Sequence, residues 1–204
     1  MKISIIGAGR VGGTLARKWA AASHQIVLGV RDVNSSKVRA LIETSNADIS
    51  ADDLTGSIAF GEVVLMAVPS TAVSSIVAAH ASALDSKIII DATNRFGSPE
   101  INNLSVILAQ APNASVFRAF NSLGWNVFAD PQFGDLQADL FYCGPQGHTR
   151  STVEQLITEV GLRPIYVGGL DQINLVDNLG ALWINLARKS EMGREIAFKL
   201  LQRD

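Results

Sequence analysis

The sequence is poor in cysteine, in charge and in metal-binding patterns. Its single cysteine, Cys143, excludes an intramolecular disulfide framework. Charged residues make up 18% of the 204 residues, the formal net charge is −2, and the lysines and arginines form no cluster. A nucleic-acid partner is therefore not expected, because binding phosphates requires concentrated positive charge. The three histidines lie far apart without metal-ligand spacing, so we expect no metal site.

Long hydrophobic runs are also missing. No apolar run approaches the roughly 20 residues that cross a bilayer. No basic segment followed by an apolar stretch precedes the first predicted strand, so we predict neither a membrane contact nor a signal peptide. Hydrophobic residues nevertheless make up 48% of the chain, which is enough for a sizeable core. We expect a soluble cytoplasmic enzyme, long enough for one α/β domain with an extra terminal element.

Short β-branched segments alternate with helical patterns along the chain. The patterns predict strands at 2–6, 25–30, 62–68, 87–91, 115–119, 138–143 and 164–167, and helices at 11–22, 35–44, 51–59, 71–84, 104–110 and 152–160. Uninterrupted apolar strands suit a parallel sheet that is covered on both faces. Alternation at this spacing predicts right-handed crossovers and a doubly wound, mostly parallel Rossmann sheet in the α/β class.

The C-terminal third is less regular. Residues 121–134 are rich in glycine, asparagine and aromatics and are predicted to form a loop with at most one helical turn. Residues 171–201 show a helical pattern with a break at 190–193. We therefore predict a dinucleotide-binding domain over 1–168 and a C-terminal helical extension over 169–204. The extension is expected to pack on the sheet or on a second subunit.

A glycine-rich turn follows the first strand and opens the first helix. Gly7 permits the tight turn, Gly9 lets the backbone approach a pyrophosphate, and Gly12 lets the helix pack on the strand. The N-terminus of the helix offers free N–H groups and a partial positive charge to a diphosphate. The alternative is a glycine-rich turn without a ligand, but nothing structural requires three glycines at these offsets.

The end of the second strand bears on the choice between NAD and NADP. An acidic residue there binds the ribose of NAD, and an arginine there binds the 2′-phosphate of NADP. Arg31 directly follows the apolar run, with Asp32 beside it, and Ser35 and Lys37 add a hydroxyl donor and a second cation. We interpret Asp32 as turned away to cap the following helix and expect NADP. The alternative for Arg31 is a solvated surface charge.

Two further strand ends are predicted at the same edge, where open α/β sheets bind ligands. Pro69 ends one strand and is expected to shape the loop under the nicotinamide. Ser70 and Thr71 follow it and are either ligand groups or helix N-caps. Asn94 follows the next strand and either binds the nicotinamide amide or the ribose, or is a turn residue.

Several segments together resemble a known family, and the resemblance covers nearly the whole chain. They are 7–12, 30–32, 67–69, 91–94, 118–121 and 192–195. They resemble the coenzyme F420-dependent NADP oxidoreductases and their bacterial relatives, and also the cytoplasmic domain of the membrane metalloreductases that pass electrons from NADPH to flavin. The resemblance implies a homodimer in which NADP(H) lies on the glycine turn and the nicotinamide faces a cleft for a second substrate, F420 or a flavin.

The resemblance also implies roles for individual residues, carried over by position. Ala8, Gly9, Arg10 and Val11 would contact the pyrophosphate, and Val30 and Arg31 would hold the 2′-phosphate end. Val68, Pro69 and Ser70 would line the nicotinamide side, and Ala119 would lie close to the nicotinamide amide. The sequence departs from the archaeal F420 enzymes at two places. Asn121 stands where they have histidine, and Ser70 stands where they have an aromatic residue. Both departures lie where the second substrate should bind.

No acid–base residue is evident, and we assign no catalytic residue. Hydroxyacid dehydrogenases carry an inward lysine on a long C-terminal helix, whereas the comparable stretch 171–188 has none. Hydride transfer to a flavin-type ring requires mainly stacking and orientation. The aromatics Phe120, Trp125, Phe128 and Trp183 either line such a pocket or belong to the core.

Three functions follow as hypotheses. The first is an NADPH-dependent oxidoreductase that passes hydride to a small-molecule flavin or deazaflavin acceptor. The second is a cyclic-imine reductase of the pyrroline-carboxylate type, which needs a longer helical dimerisation domain than this chain offers. The third is a non-catalytic NADPH-binding sensor that acts through a protein partner.

Overall fold

The computed structural model describes residues 1–45 and 48–203. The strands are β1 (Lys2–Ile6), β2 (Gln25–Gly29), β3 (Ile49–Asp52), β4 (Val63–Met66), β5 (Ile88–Asp91), β6 (Ser115–Arg118), β7 (Gln132–Phe133), β8 (Leu136–Gln137), β9 (Asp139–Cys143) and β10 (Arg163–Gly168). The helices are α1 (Arg10–Ala21), α2 (Ser36–Glu43), α3 (Leu54–Phe60), α4 (Ser70–Leu84), α5 (Leu104–Gln110), α6 (Trp125–Ala129), α7 (His148–Val160) and α8 (Ile173–Arg188). A short 3₁₀ turn, Leu170–Gln172, precedes α8.

Eight strands form one sheet in the order β10-β9-β6-β5-β4-β1-β2-β3, and β7 and β8 form a separate hairpin. All neighbours in the large sheet run parallel except β6 and β9, which meet at the pair Arg118 and Cys143. The predicted doubly wound, mostly parallel Rossmann fold is thereby confirmed. Because β1 lies between β2 and β4, the strand order reverses there, which places the crevice for a ligand at the carboxyl ends of these strands.

Two hydrophobic clusters cover the two faces of the sheet. One contains Leu15 and Trp19 of α1, Leu156 of α7 and Trp183 of α8. The other is built mainly by α3, α4 and α5, with Val73 of α4 among its buried residues. The continuous apolar strands are buried from both sides, as parallel sheets require.

The prediction of a helix over 51–59 is wrong in its first part. Residues Ile49–Asp52 form the edge strand β3, which pairs in parallel with β2. Helix α3 begins only at Leu54, and the Asp53 carboxylate caps it by accepting the N–H of Gly56 at 2.8 Å. The two adjacent carboxylates suggested a first helical turn, but the available edge of β2 decided the conformation of the residues before them.

The predicted helix at the C-terminus is also shorter than expected. Helix α8 ends at Arg188, and residues 191–203 form neither helix nor strand. Instead this segment packs on the sheet, where the N–H of Asp139 donates to the carbonyl of Phe198 at 3.1 Å and the N–H of Leu200 donates to the Asp139 carboxylate at 2.6 Å. The division of the chain at 168 stays a prediction.

Asp139 explains why the tail is held there. Burial disfavours its charged form, yet hydrogen bonds from Arg163, the Leu200 N–H and Lys199 outweigh that effect and lower the pKa of the carboxyl. The tail therefore supplies part of the compensation that a buried carboxylate needs.

Within the described ranges, we find no helix with the length and apolar character that crossing a membrane would require.

Candidate functional site

The glycine turn between β1 and α1 is fixed by backbone contacts. Gly7 has φ +108° and donates its N–H to the carbonyl of Gly29 on β2 at 3.0 Å. A Cβ at Gly7 would lie 2.6 Å from the carbonyl oxygen of Ala67, and one at Gly12 would lie 2.1 Å from the carbonyl oxygen of Gly7. Because neither position has room for a side chain, these two glycines are required by the turn itself.

Gly9 is different, since a Cβ built on it would meet nothing within 4 Å. It occupies the N-cap position of α1 without a side-chain cap, so the first N–H groups of the helix, at Arg10, Val11 and Gly12, have no helical acceptor. Ala8, next to this cradle, packs partly against the core. The combination of open space and free N–H donors fits a pyrophosphate, which satisfies the donors and favours the positive end of the helix dipole.

At the end of β2, Val30 is half-buried and donates its N–H to Asp52 at 3.1 Å, while Arg31 is exposed. The Asp32 carboxylate accepts the N–H of Asn34 at 2.9 Å within the turn before α2, so the prediction that it caps the helix itself is wrong. Ser35 is the N-cap residue of α2, but its hydroxyl makes no capping bond to that helix. The Arg31 guanidinium and the Ser35 hydroxyl thus lie at this strand end, while the Asp32 carboxylate accepts a backbone N–H.

The end of β4 differs from one of the expectations. Pro69 is the N-cap residue of α4, and Ser70 and Thr71 lie inside its first turn, where they cannot act as the predicted N-caps. Val68 and Ser70 are half-buried and Pro69 is exposed. The structure therefore leaves the ligand role as the open alternative for Ser70.

The ends of β5 and β6 hold a buried ionic network that the sequence did not predict. The guanidinium of Arg118 has no exposed surface and contacts Oδ1 of Asp177 on α8 at 2.8 Å and Oδ2 of Asp91 at 3.2 Å. The Arg118 Nη2 donates to Oδ1 of Asn94 at 2.7 Å, and Asn102 donates to the second oxygen of Asp177 at 2.7 Å. The network fastens α8 to the carboxyl edge of the sheet.

Two predicted ligand residues take part in the architecture of this edge. The Asn94 side chain accepts from Arg118 and donates to the carbonyl of Asn121 at 2.7 Å, which leaves one N–H of its amide for a ligand. Ala119 is fully buried, so any contact with a ligand would come from its backbone. The next residue, Phe120, has φ +59°, an uncommon conformation for a bulky side chain and typical of constrained segments beside sites.

The cleft side of these strand ends has no evident proton donor. Among the described residues, the stretches 68–70, 93–94 and 119–122 contain no histidine, lysine or tyrosine. The Arg118 guanidinium pairs with the carboxylates of both Asp91 and Asp177, so its charge is engaged within this network. Burial raises the pKa of the nearby Cys143 thiol to about 12 despite the opposing charge of Arg118, so the thiol is neutral at ordinary pH. In the described residues, no group of three or more His, Cys, Asp or Glu side chains has the arrangement of a metal site.

Three of the four aromatics considered as pocket walls belong to the core. Phe120, Phe128 and Trp183 are at most 4% exposed, and Phe120 packs edge-to-face against Phe128 with ring centroids 5.5 Å apart. Pocket lining is therefore the wrong interpretation for these three. Trp125 is only half-buried and lines a groove described next.

Two cavities flank the carboxyl edge. A groove of about 390 Å³ lies between α1 and α2 and reaches Trp125, with Gly9 and Arg10 at its wall. We call it the α1–α2 groove. A cleft of about 290 Å³ lies between residues 99–108 and the start of α8 and includes Asn102 and Asp177. The groove is cationic, whereas the charged residues of the cleft are acidic.

Residues 2–95 match the model of a family described as NADP oxidoreductase, coenzyme F420-dependent. The matched stretch contains the glycine turn and the ends of β2, β4 and β5. The predicted resemblance is thereby confirmed over this stretch, and the matching family is one of NADP-dependent oxidoreductases. No protein of curated function matches the sequence.

Several solved structures share the fold. A candidate F420-dependent NADP-reductase from Arthrobacter sp. FB24 matches with a TM-score of 0.82 and 21% identity, covering 99% of this chain and 100% of that one. A hypothetical protein from Sinorhizobium meliloti matches with a TM-score of 0.69 and 27% identity, covering 84% and 86%. A reductive aminase from Aspergillus terreus in complex with NADPH and ethyl levulinate matches with a TM-score of 0.64 and 20% identity, covering 93% and 66%.

Proposed function

With residues 2–95 matching the F420-dependent NADP oxidoreductase family, we propose that the protein is an NADP(H)-dependent oxidoreductase that exchanges hydride with a flavin or deazaflavin acceptor. When bound, NADPH supplies a hydride from its nicotinamide ring. The observation that carries the proposal is the glycine turn, where Gly9 opens onto free space in front of unpaired helix N–H groups.

The choice of NADP(H) rests on the end of β2. Arg31 is exposed at the position where a 2′-phosphate lies in dinucleotide-binding folds, and its planar guanidinium suits a phosphate. The Ser35 hydroxyl makes no capping bond to α2 and adds a hydrogen-bond donor, while the Asp32 carboxylate accepts the N–H of Asn34. In this proposal Ala8, Gly9, Arg10 and Val11 hold the pyrophosphate and Val30 borders the adenosine end.

The nicotinamide end of the proposed site lies along the next strand ends. Val68, Pro69 and Ser70 line one side, and the backbone at Ala119 borders the other. Arg118 keeps this edge rigid by holding Asn94 and the start of α8. In this proposal the residues orient two planar rings, which is what hydride transfer mainly requires of the protein.

The acceptor is proposed from the chemistry that the cleft offers. Reduction of a carbonyl requires a proton donor at the new alkoxide, whereas a flavin-type ring can exchange its proton with solvent. Among the described residues, the three stretches that border the proposed nicotinamide position provide no histidine, lysine or tyrosine. For the imine-reducing alternative, the chain spans about two thirds of the length of the Aspergillus terreus reductive aminase, so the comparison supports only the shared fold.

The proposal includes a homodimer formed through α8. Leu175 and Leu182 lie two turns apart on this helix and are 55% and 47% exposed, so they place two apolar side chains on one face of α8 that a second subunit would cover. Light scattering on the purified protein should give twice the mass of the chain. A monomer at micromolar concentration would contradict this part.

The decisive experiment is the oxidation of NADPH, followed by its absorbance, with F420, FMN or FAD as the acceptor. We expect turnover with at least one of these acceptors and much slower turnover with NADH. Tight NADPH binding without turnover on any acceptor would contradict the proposal and favour a binding protein. Turnover with a cyclic imine alone would favour the imine reductase.

A further inference from the structure

The α1–α2 groove carries a concentration of positive charge that the proposed NADPH contacts account for only in part. Arg10 and Arg17 reach it from α1 and Lys37 reaches it from α2, and no acidic side chain appears among its described lining residues. The described parts of the chain place none of these three cations in a salt bridge. Three like charges around one groove repel one another, so an anion that enters it is stabilised by all three.

The groove also offers an aromatic surface. The guanidinium of Arg10 lies 5.4 Å from the ring centre of Trp125, and the Trp125 Nε1 is buried without a hydrogen-bond partner in the described structure. The remaining wall includes apolar side chains of α2 such as Leu41. A ligand that fits this lining has an anionic group and an adjacent chain that can lie against an aromatic ring.

The position of the groove relates it to the proposed hydride-transfer site. Its wall at Ala8 and Gly9 is the outer side of the glycine turn, and its wall at Trp125 begins α6, six residues after Ala119 on the chain. The groove thus connects the turn that follows β6 with the flank of α1. Of the three groove cations, Arg10 is proposed to contact the NADPH pyrophosphate, and Lys37 closely follows, on the chain, the strand end at Arg31 that is proposed to bind the 2′-phosphate. Arg17 lies about two helical turns beyond Arg10 on α1 and has no proposed partner on NADPH.

We propose that the α1–α2 groove binds the anionic tail of the hydride acceptor, a phosphate- or carboxylate-bearing chain attached to the flavin or deazaflavin ring, and that Arg17 is a specificity-determining residue for that tail. This inference rests on the proposed function, because it assigns the acceptor to a class. Neutral acceptors with the same ring lack the group that the groove recognises, and they bind more weakly.

Riboflavin and FMN provide the test, since they share one ring system and differ in a terminal phosphate. We expect the wild-type protein to have a lower KM for FMN than for riboflavin. Arg17→Ala should raise the KM for FMN about fivefold, the range of a solvent-accessible charge pair, and leave the KM values for riboflavin and NADPH unchanged. Added salt should reduce the advantage of FMN in the wild type.

Arg39→Ala is the matched control, because Arg39 is an exposed arginine on α2 that does not line the groove. It should leave all three KM values unchanged. Equal changes for FMN and riboflavin in Arg17→Ala would overturn the inference, as would a raised KM for NADPH with an unchanged KM for FMN, which would assign the groove to the dinucleotide.

A binding measurement separates the failure of this inference from the failure of the proposed function. If no acceptor supports turnover, the proposed function fails, but equilibrium dialysis of FMN against the NADP⁺-saturated protein still reports on the groove. About fivefold weaker FMN binding in Arg17→Ala than in Arg39→Ala would support the groove as an anion site. Equal dissociation constants in the two variants would overturn it.

Discussion

The two ends of the carboxyl edge differ in how their polar groups are paired. At the glycine turn and the end of β2, polar groups have no protein partner within the described residues, including the first N–H groups of α1, the Arg31 guanidinium and the Ser35 hydroxyl. At the ends of β5 and β6, buried charges are paired, with Arg118 between Asp91 and Asp177. The first end is built to receive a ligand, and the second is built to stay in place.

This difference separates affinity from rigidity. Unpaired donors stabilise nothing until an anion arrives, so their contribution appears as binding free energy. A buried ion network stabilises the fold little compared with apolar packing, but the removal of one partner strands the other charges in the interior. Mutations at the two ends should therefore affect different measurements: NADPH affinity at the glycine turn, and the free energy of unfolding at the ends of β5 and β6.

The largest effect is expected for Arg118→Met. It leaves the carboxylates of Asp91 and Asp177 buried without their cation, and we expect the free energy of unfolding to fall by about 3–5 kcal/mol. Urea denaturation of the wild type and the variant measures this. The NADPH dissociation constant of the folded fraction should rise by less than about tenfold, because the network positions only the nicotinamide end and the glycine turn does not depend on it.

Arg150→Met is the control, because Arg150 pairs with Glu154 where the two side chains are 33% and 32% exposed, so its loss leaves no fully buried charge, although it also removes contacts to Tyr142 and Tyr166. We expect it to cost about 1 kcal/mol or less. If Arg118→Met lowered the free energy of unfolding no more than Arg150→Met, the ion network at the ends of β5 and β6 would not be what holds this part of the fold in place.

The second prediction compares two glycines of one turn. Gly12→Ala places a Cβ 2.1 Å from a backbone oxygen and should destabilise the fold by about 1–3 kcal/mol, as overpacking does. Gly9→Ala places its Cβ in open space, so the melting temperature should stay near that of the wild type. The same methyl group enters the space proposed for the pyrophosphate, and NADPH binding should weaken at least about tenfold.

Calorimetric titration with NADPH together with thermal melting distinguishes these outcomes. Unchanged NADPH affinity in a folded Gly9→Ala protein would remove the glycine turn from the binding site and would leave only the structural role that Gly7 and Gly12 already show.

The third prediction concerns the choice of cofactor at Arg31. Arg31→Ala should weaken NADPH about tenfold relative to NADH, since only NADPH carries the 2′-phosphate that a guanidinium can chelate. Dissociation constants for both cofactors, measured by fluorescence, provide the ratio. Equal losses for the two cofactors would refute the assigned role, and Arg39→Ala should leave the ratio unaltered.

The same contrast explains how far the sequence could be interpreted. The glycine turn, Arg31 and the strand ends were predictable because each depends on a few consecutive residues whose spacing reflects local chemistry. Strand β3 was not predicted, because its conformation is set by pairing with β2 across the sheet. The Arg118–Asp177 contact joins residues 59 positions apart, and no local pattern signals it.

The sequence indicates where Asn94 lies, but not that its side chain links Arg118 to the carbonyl of Asn121. A polar side chain after a strand indicates a position at the ligand-binding edge, and that position is correct. Whether the side chain faces a ligand or a protein partner depends on Arg118 and on the carbonyl of Asn121, which the fold brings to it. Long-range partners therefore decide the role, while the local sequence decides the place.

The smallest effect is expected at Ser35, the N-cap residue of α2. An N-cap serine commonly stabilises its helix by about 0.5–2 kcal/mol, but the Ser35 hydroxyl makes no capping bond to α2. Ser35→Ala should therefore leave the melting temperature almost unchanged and weaken NADPH binding two- to threefold, about the contribution of one solvent-accessible hydrogen bond.

Asp53→Ala provides the opposite case, because Asp53 caps α3 through Gly56 at 2.8 Å and lies outside the proposed site. It should lower stability by about 1 kcal/mol without changing NADPH affinity. If Ser35→Ala instead cost stability and left NADPH binding unchanged, its hydroxyl would belong to the fold and the binding end of the edge would begin at Arg31.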